Sequence, residues 1–387
     1  MYYIGIDISK FKHDCAVIDD TGEIITPSWS FTNDSEGFMQ FKILLDSLDA
    51  ETRIGLESTG HYGTNLKLFL ESCSTTFMEF NPLLISRFVR GKSLRKTKTD
   101  TLDAQSIAQY LMTVEYKPYP PSFYHMDQLK SLTRFRDSLV RQHSKQLVEL
   151  TNILDKVFPE FKPFFDGKFS GTALYILSHY QSPEKIANMN AKSYEALRKK
   201  SRGKFSMVKF AQLKTLAKNT VGRSDDFLLK QMEITIDIEN QLDAKIDEIE
   251  SQIRECIRGL NPPILTIPGI GELTAAVILS EYGDMSRFKG PAQMLSFAGL
   301  EPGYYQSGLS EHQGHMVKHG SSHLRYALMN ACLPLITFEP IFAEYYAKKR
   351  AEGKPHRVAL THVAKKLLRV IYTLQTKNIP YDPALMR

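Results

Sequence analysis

Four carboxylates in this 387-residue chain stand where chemistry could be done. Asp7 closes an apolar run in GIDISK, Glu57 closes another in GLESTGHY, and Asp100 and Asp103 stand three apart in KTDTLDA. Strand ends of an open α/β sheet are where sites are built. Residues at i and i+3 share one face of a helix's first turn. If that turn packs beside the two strand ends, the four carboxylates converge, and such a cluster repels itself unless a cation sits among them. Mg²⁺ takes hard oxygen ligands, and two such ions about 3.5–4 Å apart can clamp the attacking and leaving oxygens of a phosphodiester displacement. A plainer reading exists for single members: Asp100 caps a helix, Asp103 meets the helix dipole, and Asp7 ends a strand at a turn. Glu57, closing an apolar strand before Ser-Thr-Gly, fits that reading least. The four in this order favour a metal site.

The tract just upstream suits the same chemistry. In RFVRGKSLRKTK (87–98) six of twelve residues are basic (Arg87, Arg90, Lys92, Arg95, Lys96, Lys98) and none is acidic. Basic side chains beside a carboxylate–metal cluster can hold the flanking phosphate backbone. A second cluster, residues 192–218, has nine basic residues and one acid, with Lys199, Lys200 and Arg202 at its centre. A third runs YYAKKRAEGKPHRV (345–358), and Lys318 and Arg325 add basic positions nearer the site candidates of the C-terminal part. Such blocks often mark solvated faces. Three of them, two with interleaved aromatics, favour a polyanion such as nucleic acid. The net charge of +6 is modest, so only this clustering gives the basic character meaning.

The elements that must position these residues can be read from period and punctuation. Runs 2–8, 13–19 and 23–31 are β-rich, with turn signals at Asp19-Asp20 and Thr21-Gly22 between the second and third. An amphipathic helix over 35–48 opens with Ser35 as its expected N-cap. Strand 52–58, helix 64–72 and strand 75–80 follow; Asn81-Pro82 opens another helix, and a further one starts near Asp100. This order predicts an α/β layer with a mixed sheet. Pro118, Pro120 and Pro121 break the pattern, so a first domain is expected over 1–118.

Beyond that break the chain is helical. Residues 126–158 and 226–257 each keep apolar residues at helical spacing, and the spacing predicts a paired, antiparallel coiled-coil arm over 124–258. Between them lies a basic helical segment, 159–225, which reads equally as a nucleic-acid contact or as a spacer with a solvated face. From 259 the composition shifts again, and a mainly α C-terminal domain is expected over 259–387. LTIPGIGELTAAVILSEYG (265–283) resembles a helix-hairpin-helix element, whose turn amides can hold a phosphate; a plain helix start after a glycine turn explains it as well. Ser307, between Gly303 and Gly308, falls in a stretch read as an exposed polar loop, where Ser310, Ser321 and Ser322 are equal rivals. Glycines permit close approach to a ligand, and a nucleophilic serine needs exposure and activation. His312, His315 and His319 lie nearby without forming an evident triad.

Several classes are excluded or demoted. GKS at 91–93 lacks the glycine five positions earlier that a P-loop needs, since position 86 is Ser. GIDIS could open an actin-like kinase, but the long helices after Pro121 replace its second phosphate loop. The four cysteines (Cys15, Cys73, Cys256, Cys332) form no C-x-x-C pair, which points to a reducing compartment and away from zinc. The N-terminus has no signal-peptide pattern and no apolar run approaches a membrane span.

GIDISK, LESTGHY and KTDTLDA in series resemble the RuvC-like domain of the DEDD transposases, the family that includes Piv-type DNA invertases. AGLEPGYYQSG and HGSSHLRYALMNA resemble that family's second domain. The resemblance implies an RNase H-like N-terminal domain whose Asp–Glu–Asp–Asp metal site is Asp7, Glu57, Asp100 and Asp103, and it implies Ser307 as nucleophile. It further implies Mg²⁺ as cofactor, element-end and target DNA as partners, a structured bridge RNA as guide, and a homo-oligomer in which the serine meets another subunit's carboxylates. The expected location is the cytoplasm of a bacterium, at the nucleoid. The expected activity is DNA strand cleavage and exchange by an insertion-sequence transposase. The alternatives are a RuvC-like nuclease using water as nucleophile, and a non-catalytic nucleic-acid-binding protein.

Overall fold

Alternation along the first strand decides the layering of the N-terminal part. The structure, a computed structural model, describes residues 1–57, 60–92, 100–118, 123–223, 225–307 and 310–386; the side chains of 92, 100–102, 123–125, 302–307, 310–315 and 385–386 lie outside that description. It divides into two units, Met1–Tyr124 and His125–Arg387.

In the first unit, β1 (Tyr2–Ile8), β2 (Lys12–Asp19), β3 (Ile24–Thr32), β4 (Thr52–Glu57) and β5 (Phe77–Phe80) form one sheet in the order β3-β2-β1-β4-β5. β1 pairs antiparallel with β2 and parallel with β4, while β2–β3 is antiparallel and β4–β5 parallel. The sheet is therefore mixed, as the element order predicts. Ile4, Ile6 and Ile8 share a core with Phe41 of α1 (Ser35–Ser47) and with Leu66 and Leu70 of α2 (Thr64–Ser72). Successive strand residues face opposite ways, so Tyr3, Gly5 and Asp7 look to the other layer. There α3 (Pro82–Lys92) and α4 (Asp100–Thr113) bury Ile85, Ile107 and Leu111 with Phe80. The N-cap of α1 is Asp34 and not the expected Ser35: its carboxylate accepts the Gly37 amide at 2.9 Å and the Thr32 hydroxyl at 2.8 Å. An ionised acceptor outcompetes a hydroxyl at that position.

The second unit is organised by α5 (Phe123–Val157) and α11 (Asp226–Leu260). Arg136 donates to Glu250 at 3.0 Å, and His143 pairs with Glu239 at 2.8 Å. Partner numbers fall on α11 as they rise on α5, so the two helices run antiparallel. At one end Leu129 joins Ile253 and Ile257 in a core completed by α12 (Glu272–Tyr282), α13 (Pro291–Ala298), α14 (Ser322–Phe338), α15 (Pro340–Ala351) and α16 (His356–Lys377). At the other end Leu150, Ile153 and Val157 join Met232 and Ile236 in a separate core. The inserted segment supplies the rest of that core through α6 (Phe161–Phe164), α7 (Gly171–Tyr180), α8 (Pro183–Ala187), α9 (Ala191–Lys200) and α10 (Met207–Lys218).

Two local expectations change. The stretch around Ser307 is an antiparallel hairpin, β6 (Pro302–Ser307) and β7 (Ser310–Met316), with Ser307 opposite Ser310. Its strands, PGYYQS and SEHQGHM, are too polar and glycine-bearing to show strand alternation, which is why they read as loop. Where a helix-hairpin-helix element has an α-helix before its turn, this chain has a single 3₁₀ turn, Pro263–Thr266. Pro262 and Pro263 remove the amides a longer helix would need. Gly269 of the following turn, at φ +85°, packs against the backbone of Pro334 and Leu335. Among the described residues no single helix is long and apolar enough to cross a membrane.

Candidate active site

The placement of α4 decides whether the carboxylates can meet. A Cβ on Gly5 would overlap the carbonyl oxygen of Ala104 and the amide of Ala108, so the helix lies directly on β1 there. Gly5 pairs with Gly55 across the parallel β1–β4 ladder, and a Cβ on Gly55 would come within 2.7 Å of Phe80 and 3.3 Å of Leu111. The later half of α4 packs with Tyr3, near the start of β1. The helix therefore runs antiparallel to β1 and β4, and its first turn, with Asp100 and Asp103, comes to the strand ends that carry Asp7 and Glu57. Asp7 shares the α4-facing parity with Gly5, and Glu57 shares it with Gly55.

Asp7, Glu57 and Asp103 are half-buried. Asp100 begins α4, and its side chain lies outside the described residues. Among the described residues no three His, Cys, Asp or Glu side chains are gathered closely enough to hold a metal ion. The donor set at this end of the sheet is nonetheless all carboxylate oxygen, the type that suits a hard cation and not zinc or copper.

A fifth carboxylate belongs to the same neighbourhood. Asp14 is the cross-strand partner of Asp7 on β2 and is only 5% exposed. It is held by the Ser30 hydroxyl and by the Lys12 ammonium at 3.2 Å. Sequence reading passed over Asp14 because a lone aspartate inside HDCAVID looks like strand decoration. The signal was register: once 2–8 and 13–19 pair as a hairpin, Asp14 falls opposite Asp7. His13 beside it is a packed ring between Phe31 and Phe38, and burial pushes its pKa down.

The basic positions fall in several places. Arg87 and Arg90 are exposed on α3. Lys92 ends that helix with its side chain outside the described residues, and Arg95, Lys96 and Lys98 lie outside them altogether. Lys199 and Lys200 are exposed in the last turn of α9, and Arg202 follows in a turn with φ +52°. Lys318 is exposed at φ +53°. Arg325 has a structural partner set: one guanidinium nitrogen donates to the carbonyls of Gly320 at 2.7 Å and Ala298 at 3.2 Å. With Lys318 N–H donating to the Gly299 carbonyl and Val317 N–H to the Glu301 carbonyl, it ties both ends of the β6–β7 hairpin together. Ser307 is the last residue of β6, and its side chain lies outside the described residues.

The start of α14, just after that hairpin, is fastened to α5. His323 pairs with Asp137 at 3.0 Å, and Glu281 on α12 accepts two hydrogen bonds from Arg134 at 2.7 and 3.0 Å. Burial alone would push the Glu281 carboxyl up. The hydrogen bonds from Arg134 and Ser321 and the charge of Lys130 outweigh it, and the group sits below its ordinary value.

Comparison with known proteins agrees with this arrangement at both ends of the chain. A family model for the DEDD transposases of IS110 elements, described as a transposase, matches residues 4–159, which contain all four carboxylates. A second, described as a transposase of the IS116/IS110/IS902 family, matches residues 261–347, which contain the hairpin. The chain is 24% identical to a pilin gene-inverting protein of Moraxella bovis over 98% of its own length and 97% of the relative's. It is 23% identical to a 44.8 kDa protein of insertion element IS116 from Streptomyces clavuligerus over 99% and 96% of the two chains. With a putative transposase of the IS117 mini-circle from Streptomyces coelicolor it shares 25% identity over 97% and 94%. Two matching domains in the expected order, and relatives aligned from end to end, place the chain in the IS116/IS110/IS902 family of transposases.

Proposed function

We propose that this transposase cleaves and rejoins DNA through a serine nucleophile and a carboxylate-bound Mg²⁺ site in an RNase H-like (RuvC-like) domain. The observation that carries the proposal is the antiparallel course of α4 over β1 and β4, which brings the Asp100–Asp103 turn to the strand ends bearing Asp7 and Glu57. The three-strand meander continued by two parallel strands supports the RNase H-like reading. The chain divides on this reading into a catalytic domain, 1–118, an arm, 124–258, with the insert 159–225, and a C-terminal domain, 259–387.

Asp7, Glu57, Asp100 and Asp103 would hold Mg²⁺, probed as a two-ion site, which supplies positive charge for the phosphate oxygens as they gain electron density. The Ser307 oxygen attacks the scissile phosphorus, a phosphoserine–DNA bond forms, and the 3′ oxygen leaves; attack by a 3′ hydroxyl of the exchanged strand reverses the step and frees the serine. Proton transfer from the Ser307 hydroxyl accompanies the attack. The hairpin holds that serine at a strand end, fixed at its base by Arg325 and the Gly299 and Gly320 contacts. The exposed bases Arg87, Arg90, Lys199, Lys200, Arg202 and Lys318 suit contacts to DNA or to a structured guide RNA, and the paired α5 and α11 suit self-association into the assembly that holds two duplexes. Trapping tests the serine step. Denatured reactions with element-end DNA should contain a covalent protein–DNA adduct that Ser307→Ala abolishes; a Ser307→Ala protein that still cleaves would assign the attack to water.

A further inference from the structure

The turn that joins β1 to β2 carries a feature that the carboxylate site does not use. Phe11 is 75% exposed, and it stands between Lys10 and Lys12. The Lys10 ammonium lies 4.8 Å from the Phe11 ring centroid. An aromatic ring this open in water gains nothing from folding, yet the backbone beneath it is pinned. The Asn33 amide donates to the Phe11 carbonyl at 2.9 Å, the Asn33 side chain donates to the Lys10 carbonyl at 3.2 Å, and the Ser9 amide donates to the Lys12 carbonyl at 3.2 Å. Asn33 in turn meets the side chain of Asn65 at 3.5 Å. A turn held at three points presents its ring in one place, which lowers the ordering cost of any contact the ring makes.

Its position selects the occupant. The turn lies at the C-terminal end of β1, two residues beyond Asp7, which is the end of the sheet that also carries Glu57 and the first turn of α4. A ring flanked by two ammonium groups beside a site for phosphodiester chemistry has the make-up of a stacking platform: cations track the backbone and the aromatic face takes a base. A protein partner's apolar side chain would leave both lysines without a countercharge. A duplex keeps its bases stacked on each other and offers no free face.

We propose that Phe11 stacks on an unpaired DNA base next to the scissile phosphate, with Lys10 and Lys12 on the adjoining backbone, and so sets which linkage enters the carboxylate site. This deepens the reading of Asp7, Glu57, Asp100 and Asp103 as that site and depends on it. The chain has a single tryptophan, Trp29, so a Phe11→Trp protein adds one exposed reporter. Titrating it with a single-stranded oligodeoxynucleotide from the element end should quench the new emission, while the native protein's emission stays nearly flat. Phe11→Ala and Phe11→Leu should each weaken binding of that oligonucleotide by about 5- to 150-fold, the loss expected for one stacked base, and should shift or blur the cleavage position. Unquenched emission at saturating DNA, or a Phe11→Leu protein that binds and cuts as the native one does, would overturn the stacking role. Quenching by RNA of the same sequence but not by DNA would overturn the assignment to the cut strand. An Asp7→Asn protein run in parallel separates the two ideas: if it still exchanges strands, the carboxylate site itself fails, whatever Phe11 does.

Discussion

Gly5 and Gly55 matter to the proposed chemistry as much as the carboxylates near them, because a side chain at either would lift α4 from the sheet. A Cβ at Gly5 meets backbone atoms of Ala104 and Ala108 that cannot swing aside. Gly5→Ala should therefore cost about 1–3 kcal/mol of stability, the usual penalty for overpacking, read as a lower denaturant midpoint. It should also lose more activity than its lost stability explains, since it moves the turn holding Asp103. Unchanged stability would mean the helix is not seated as described. At this scale the sequence was legible for the four carboxylates, each in a recognisable local context. It was not legible for Asp14 or the glycines, whose meaning comes from the residue across the ladder: Asp14 opposite Asp7, Gly55 opposite Gly5. Paired glycines on neighbouring strands mark a helix in close approach, and that signal appears only once register is known.

At the scale of elements, the long period-3.6 runs announced α5 and α11, and turn residues announced β1 to β5. The β6–β7 hairpin was hidden because its strands are short and polar, and pairing between them, not burial, makes them strands. The joint between α5 and α12 depends on charge state. Glu281 is buried and lies below its ordinary pKa because Arg134, Ser321 and Lys130 favour its ionised form. A depressed carboxyl contributes stability that is present above its unfolded pKa, about 4.3, and is lost as pH falls through the lower folded value. Arg134→Met removes the largest favourable partner, so the Glu281 pKa should rise and the acid limb of unfolding should begin at higher pH. Denaturant midpoints measured between neutral and acid pH check this; superimposable curves for the two proteins would show that the pair contributes nothing. Because Arg134 is nearly half exposed, the neutral-pH cost should be nearer 1–2 kcal/mol, roughly, than the larger cost of breaking a fully buried pair.

For the whole molecule, a net charge of +6 is too small to attract DNA by itself, and the clusters must act locally. Lys199, Lys200 and Arg202 are exposed together at the end of α9 and the turn after it. Replacing all three with alanine should weaken duplex binding across sequences and lower the dependence of log K on log salt by up to about 0.9 per lost phosphate contact. An unchanged slope would make the insert a spacer with a solvated face. The central claim spans the chain's first unit: four carboxylates far apart in sequence act as one site because α4 carries two of them to the strand ends holding the other two. The most direct measurement is the strand-cleavage rate of an Asp103→Asn protein at DNA concentrations that saturate binding. The account predicts a loss of roughly 100-fold or more, the scale expected when a group stabilising developing charge is removed, with DNA affinity unchanged. Cleavage at the native rate would contradict it and leave Asp103 as a helix-dipole residue.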